Sequence, residues 1–243
     1  MNTDHPMTTM ELADRIGRCP LEFQPGARWK YGVSADILAA VVEKVSGMKY
    51  SEFLQKEIFE PLGMKDTGFY VPKEKLDKMA EAYEETKEGI KEFREDSLGI
   101  HMAMDVPPAY EAGGAGLVST IDDYSRFAAM LLNQGTFNGK QILFPETVNY
   151  MTTRRLFPEQ QEWFDKWWEL NGFSYGNLMR VMTDPWKAPF AAREGEYGWD
   201  GWLGCYFANL PKENMTILMM MQKKDTGTFE LTRRLRNAML LDM

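Results

Sequence analysis

Hydrophobic residues change their spacing about two-thirds of the way along this 243-residue chain, and that change sets the fold class. Met215-Thr-Ile-Leu-Met-Met-Met-Gln222 is almost continuously apolar, and Trp202 to Leu210 is a second run of strand length. Pro211-Lys-Glu-Asn214 between them has the composition of a hairpin connection. A run that is apolar on both sides belongs inside a sheet, so Met215 to Gln222 is predicted to be a buried central strand. Another strand is expected within Phe173–Thr183. Upstream, the spacing is helical. Helices first, then antiparallel strands and a closing helix, define an α+β chain.

The helical segments carry their own start and stop signals. Residues 9–17 read as a short helix capped by Thr8 or Thr9 and stopped at Gly17. Gln24-Pro-Gly26 is a turn. In the next helix Ser34 is the expected N-cap, Ile37, Leu38, Val41, Val42 and Val45 recur at helical spacing, and Gly47 ends it. Ser51 starts a further helix through Phe59, which Pro61-Leu-Gly-Met64 is expected to break. Asp105-Val-Pro-Pro108 and Gly113-Gly-Ala-Gly116 read as loop. Thr120-x-x-Asp123 resembles a capping box ahead of Tyr124, Phe127, Ala128, Leu131 and Leu132, with the stop near Gly135. Pro145 suits the first turn of another helix. Residues 226–241 close as an amphipathic helix, with Phe229, Leu231, Leu235 and Met239 opposed to Arg233, Arg234 and Arg236. The dense mixed charge of residues 73–96 fits a solvated face, and also an ionic docking surface.

Composition removes several function classes. An apolar share of 44% excludes disorder, and a net charge of -8 argues against a basic nucleic-acid-binding face. The charge favours a protein that handles small molecules or neutral polymers. No apolar run approaches the roughly 18–20 residues of a membrane span. Two cysteines, Cys19 and Cys205, cannot build a disulfide framework or a four-cysteine zinc site. Two histidines, His5 and His101, leave little room for a Ser-His-Asp triad, so nucleophilic chemistry here needs another base. No cofactor and no metal are expected. Met1-Asn-Thr-Asp-His-Pro6 shows no secretory pattern, which implies a cytoplasmic protein if Met1 is the native start.

Three places can carry chemistry. Tyr31, in Trp29-Lys-Tyr-Gly-Val-Ser34, lies just ahead of a helix N-terminus, where the partial positive charge favours a phenolate. Such a tyrosine acts as a general base without histidine. The same pattern is also that of a residue packed between a turn and a helix. Gly198-Trp-Asp-Gly-Trp-Leu-Gly204 combines glycines, which let a backbone or ligand approach closely, with strand N–H groups able to stabilise an oxyanion. It reads equally as a glycine-kinked edge strand with packed tryptophans. Trp163-Phe164-x-x-Trp167-Trp168 lines either a packed helix face or an apolar or sugar-binding cleft.

Taken in order, these segments resemble a family. They are Phe23-Gln-Pro-Gly-Ala-Arg-Trp-Lys-Tyr31, Asp36 through Gly47, Phe59-Glu-Pro-Leu-Gly-Met-Lys-Asp-Thr67, Gly113-Gly-Ala-Gly-Leu-Val-Ser-Thr120, Asp123-Tyr-Ser-Arg-Phe127, Met130-Leu-Leu-Asn133 and Gly198-Trp-Asp-Gly201. Together they resemble the serine β-lactamase-related superfamily of class C β-lactamases, DD-peptidases and related carboxylesterases. The resemblance implies an antiparallel sheet flanked by helices plus a helical lobe, around a site built from a Ser-x-x-Lys, a Tyr-x-Asn and a Lys-Thr-Gly-like strand. It also implies an acyl-enzyme mechanism on ester or amide substrates of the esterase, β-lactam or D-Ala peptide type.

On that resemblance Tyr31 matches the tyrosine base, and Val33 stands where the family has an amide. Trp199, Asp200 and Gly201 match the third motif, and the backbone N–H of Trp202 supplies half of an oxyanion hole. Trp199 is familiar at that position among the carboxylesterase-like members. Val33 and the negative charge of Asp200 argue against acidic substrates such as penicillins. The first motif is expected several dozen residues before Tyr31. The one textual Ser-x-x-Lys, Ser46-Gly-Met-Lys49, falls after it, where the family has a structural Ser-Gly. The chain is therefore expected to be one incomplete domain over 1–243, with residues 1–160 mostly a helical lobe and 170–243 the strands and closing helix. The N-terminal strands and nucleophile helix are expected to be missing, which leaves the chain inactive alone. An open sheet edge would then lead to a homo-oligomer or a companion chain. The alternative is a non-catalytic binding or partner protein that keeps the cleft.

Overall fold

A computed structural model of the protein describes residues 6–97, 99–167, 170–225 and 230–241. They fall into two compact units. One is built from Met1–Glu22, Tyr31–Ala82 and Glu92–Tyr124, the other from Phe23–Lys30, Tyr83–Lys91 and Ser125–Met243.

The first unit is helical. Helix α1 (Thr9–Gly17) opens with a reciprocal capping box between Thr8 and Glu11. Helix α2 (Ser34–Ser46) begins one residue earlier than expected. Val33 is its N-cap, with no side-chain cap, and Ser34 is already helical. Gly47 ends it in the left-handed region, at φ 70°. The fully buried residues of α2 are Ala39 and Ala40, whereas Val41 is 49% and Val45 82% exposed. The small residues face inward because loop backbone presses on this helix. A Cβ on Gly113 would stand 2.0 Å from the Ala35 carbonyl oxygen, so only glycine fits there.

The helical run that starts at α3 (Tyr50–Leu54) continues past Phe59 and ends at Gly63, within the expected Pro61–Met64 break. It passes through one wide π turn (Gln55–Phe59) into α4 (Glu60–Leu62). Pro61 occupies the first turn of α4, where its missing N–H needs no partner. Glu111, 1% exposed, gathers these helices. Its carboxylate accepts from the Ser51 N–H at 2.6 Å and meets the Lys49 ammonium, and its backbone pairs with the Thr9 hydroxyl.

The second unit contains the hairpin strands β1 (Tyr83–Thr86) and β2 (Gly89–Glu92), then helix α5 (Ile121–Leu132), in which the division between the units falls. The Asp123 N–H takes the Thr120 hydroxyl as expected. The Asp123 carboxylate, however, binds Asp66 N–H and the Thr67 hydroxyl instead of closing a box. The short hairpin β3 (Thr136–Phe137) and β4 (Lys140–Gln141), α6 (Pro145–Thr152) with Pro145 in its first turn, and α7 (Pro158–Phe164) follow.

The main sheet among the described residues has five antiparallel strands in chain order: β5 (Phe173–Tyr175), β6 (Arg180–Met182), β7 (Tyr197–Asp200), β8 (Tyr206–Leu210) and β9 (Met215–Met219). The expected strand within Phe173–Thr183 is thus a hairpin of two. Trp202 to Cys205 is turn, and the strand starts at Tyr206.

Strand β9 corrects a further expectation. It pairs with β8 alone and ends the sheet among the described residues, and only Ile217 in it is fully buried. Its apolar run serves a different need, since Met215, Ile217 and Met219 pack with Tyr206, Ala208 and Leu210 against Leu235 and Leu240 of helix α8 (Glu230–Leu240). Leu235 faces inward as expected, but the rest of the buried face differs from the expected one. Thr232, Arg236 and Leu240 are buried while Leu231 is 53% exposed, because Arg236 finds partners inside. Phe229 lies outside the described residues.

Candidate active site

Tyr31 and Val33 belong to the first unit, and both are half exposed. Val33 caps α2 and Tyr31 lies two residues before that cap, so both stand ahead of the N-terminal end of the helix. In the first turn, the Asp36 carboxylate accepts from the Tyr110 hydroxyl at 2.5 Å and from the Gly114 N–H at 3.4 Å. The Gly113-Gly-Ala-Gly116 loop is thereby tied to the start of α2. Burial, with the Asp36 hydrogen bond, pushes the Tyr110 hydroxyl well above the ordinary tyrosine range, so Tyr110 is held as a neutral donor.

The one textual Ser-x-x-Lys is spent on structure. Ser46 is the last residue of α2, and its hydroxyl accepts from the Met48 N–H at 3.2 Å. Lys49 is held 2.5 Å from Glu111 and donates to the Pro108 carbonyl. Neither group is arranged as a nucleophile and its base, which need mutual hydrogen-bond reach.

Trp199, Asp200, Gly201 and Trp202 belong to the second unit, at the end of β7 and in the turn that follows. Strand pairing runs Trp199 opposite Phe207 and Asp200 opposite Tyr206. Beyond it, Gly201 N–H donates to the Cys205 carbonyl at 2.7 Å and Gly204 N–H to the Gly201 carbonyl at 2.9 Å, closing a tight turn. That turn is held from outside as well. Lys223 N–H donates to the Leu203 carbonyl, Asp225 N–H to the Trp202 carbonyl, and the Trp202 indole N–H to the Asp225 carboxylate at 2.6 Å. Strand β1 grips the same segment through Tyr83, Glu84 and Glu85, the last two paired with Lys224 and Lys223. Glu84 and Glu85 of the charge-rich stretch therefore pair with the cations of this segment, whereas Glu88 and Lys91 pair with each other on an exposed face.

Trp199 joins an aromatic cluster. Its ring stacks on Trp167 at 5.9 Å and 6° and meets Tyr175 edge-on at 5.5 Å. Trp29 contacts Phe164, Trp167 and Tyr175. Within the expected aromatic motif, Phe164 is fully buried, Trp167 joins the cluster, Trp163 is 39% exposed beneath the Arg28 guanidinium, and Trp168 lies outside the described residues.

Asp200 turns away from this cluster. Its carboxylate is buried and lies 3.1 Å from the Arg180 guanidinium. Burial pushes its pKa up to about 6, against the pull of Arg180 and Arg236. Its charge is therefore compensated by a cation that composition did not reveal. Arg180, Glu196 and Arg236 are each 1% exposed. The sequence signal for Arg180 was a lone charge inside Met179-Arg-Val-Met182. Among the described residues no cluster of His, Cys, Asp or Glu could hold a metal ion, and no helix is long and apolar enough to cross a membrane.

A helical unit with a tyrosine at a helix N-terminus, and an antiparallel sheet with a Trp-Asp-Gly strand end, define a β-lactamase-like protein. A model of the beta-lactamase family matches residues 2–240, and the chain belongs to that family. It is 33% identical over 214 residues to protein Rv1367c of Mycobacterium tuberculosis, covering 85% of this chain and 52% of the relative. It is 29% identical over 203 residues to esterase EstB of Burkholderia gladioli, covering 78% and 48%. Among solved structures, EstCE1, described as a hydrolase with promiscuous acyltransferase activity, superposes with a TM-score of 0.81 at 23% identity, covering 96% of this chain and 61% of that one. The chain spans about half the length of the curated relatives it matches.

Proposed function

We propose that this chain is the C-terminal portion of a serine hydrolase that forms an acyl-enzyme on uncharged ester substrates, nearer to the esterases of its family than to the β-lactamases. The observation that carries this reading is Trp199. Where the family commonly places a cation able to attract a substrate carboxylate, this chain has an indole stacked on Trp167. The likeness to EstB points the same way. In this reading Tyr31 is the general base and Trp202 N–H an oxyanion donor, and Val33, Trp199 and Gly201 contact the substrate. Asp200 acts from beneath, through its contact with Arg180.

The nucleophilic serine and its lysine come from sequence other than this chain, because Ser46 and Lys49 are engaged elsewhere. A homo-oligomer or a companion chain covers an open edge of the sheet. An in-frame Ser-x-x-Lys upstream of Met1 in the gene supports the hydrolase. A stop codon and ribosome-binding site directly upstream favour the non-catalytic alternative. The test of substrate class compares p-nitrophenyl butyrate with nitrocefin, using the protein expressed with any coding sequence that lies in frame ahead of Met1. The expected result is a higher kcat/KM for the ester. A higher value for nitrocefin overturns the esterase reading.

A further inference from the structure

Arg180 stands in an unusual position for an arginine. It lies mid-sheet on β6, directly opposite Gly198 of β7, and is 1% exposed. Its guanidinium lies 5.5 Å from the Phe173 ring and 4.9 Å from the Tyr206 ring, donates to the Phe207 carbonyl at 3.3 Å, and meets Asp200 at 3.1 Å. Gly198, its strand partner, lies against the carbonyl that Arg180 binds. A Cβ there would come within 1.9 Å of the same Phe207 carbonyl oxygen, so the backbone of β8 requires glycine at this position.

A buried charge is costly unless it is paired, and a paired one fixes geometry more than it adds stability. The guanidinium is planar: its Nη2 donates to the Phe207 carbonyl, and its Nη1 meets the Asp200 carboxylate in a single ion-pair contact without hydrogen-bond geometry. It joins a carbonyl on β8 to the last residue of β7, across the strand pair that leads into the Gly201–Cys205 turn. The outer side of the turn is held by Asp225 and Lys223, while the inner side is held where Arg180 grips Asp200. A second buried pair, Arg236 with Glu196 at 2.6 Å, lies beside it, and Arg236 also bonds the Tyr206 hydroxyl. That neighbouring pair leaves Tyr206, the strand partner of Asp200, a fixed wall.

We propose that Arg180 is a positioning residue which, through Asp200, fixes the Gly201–Cys205 turn and with it the direction of the Trp202 N–H. This rests on the reading of that N–H as an oxyanion donor. Arg180 itself touches no substrate. Its effect on catalysis is on orientation, where small displacements of a donor are costly.

The charge-balanced double variant Arg180→Met with Asp200→Asn removes the grip without leaving an unpaired buried ion. Amide exchange at Gly201, Trp202, Leu203 and Gly204 is expected to quicken about tenfold, with Ile217 and Leu218 of β9 changed less than about twofold. In the protein expressed with any in-frame upstream coding sequence, kcat for p-nitrophenyl butyrate is expected to fall about tenfold with KM nearly constant. Arg180→Lys keeps the charge but loses the planar guanidinium, and is expected to shift both readouts the same way, by less. Unchanged exchange in the turn, or a uniform rise across the sheet, overturns the proposal. Faster exchange in the turn with kcat unaltered upholds the anchoring by Arg180 and removes Trp202 N–H from the oxyanion role.

Discussion

Trp199 and Asp200 are chain neighbours in opposite surroundings. Around Trp199 the side chains are rings, with Trp29, Trp167 and Tyr175 only partly shielded from water. Around Asp200 they are ions, with Arg180, Glu196 and Arg236 each 1% exposed. This inverts the usual arrangement of apolar groups inside and charges outside. Ions sealed from water hold backbone in one geometry, since any other leaves a charge unpaired. Rings left half open keep apolar surface that a ligand can cover. The end of β7 is thus fixed from the ionic side and presented on the aromatic side.

The sharpest way to break this contrast is Arg236→Met, which leaves Glu196 buried without its cation. Urea unfolding is expected to show a loss of about 3–5 kcal/mol. A loss below about 1 kcal/mol would mean that water reaches Glu196 after all. Gly198→Ala follows, because its methyl must displace the Phe207 carbonyl that Arg180 binds. A cost of about 1–3 kcal/mol is expected in the same assay. On the aromatic side, Trp167→Ala removes one half of a stack that is already partly open to water, so about 1–2 kcal/mol is expected, with tryptophan emission moving to the red.

The smallest effect is in pH. Asp200 is pushed up to about 6 by burial, with Arg180 and Arg236 opposing and Glu196 adding to the rise. An unfolded aspartate releases its proton near pH 4, before the folded one does, so between about pH 4 and 6 the folded state binds more protons. The contribution of this group to stability is therefore present below that window and lost as pH rises through it. Asp200→Asn is expected to flatten the stability profile there, and a slope identical in both proteins would refute the assignment to Asp200.

Much of the local structure was legible in the sequence. Thr8 and Gly47 mark real helix ends, and Pro145 starts a helix, because caps and turn residues act through their nearest neighbours. Apolar runs located β8 and β9 but not the place of β9 in the sheet, which depends on pairing between distant segments. On α2 the valines promised a core face. Ala39 and Ala40 are buried instead, and Ala39 is met by a loop more than seventy residues away, at Gly113. Tyr31 and Trp199 could be read as site candidates because their neighbours form recognisable motifs. Arg236 could not, and Arg180 offered only a lone charge in an apolar run, since a charged residue reads as solvent-facing until its buried partners, Glu196 and Asp200, are known.

The most direct test of the serine-hydrolase reading is intact-mass analysis after treatment with a fluorophosphonate probe. This chain alone and the protein expressed with any in-frame coding sequence ahead of Met1 are treated side by side. The expected result is one covalent adduct on the longer protein and none on this chain. Stoichiometric labelling of this chain alone, or no labelling of the longer protein, would contradict it.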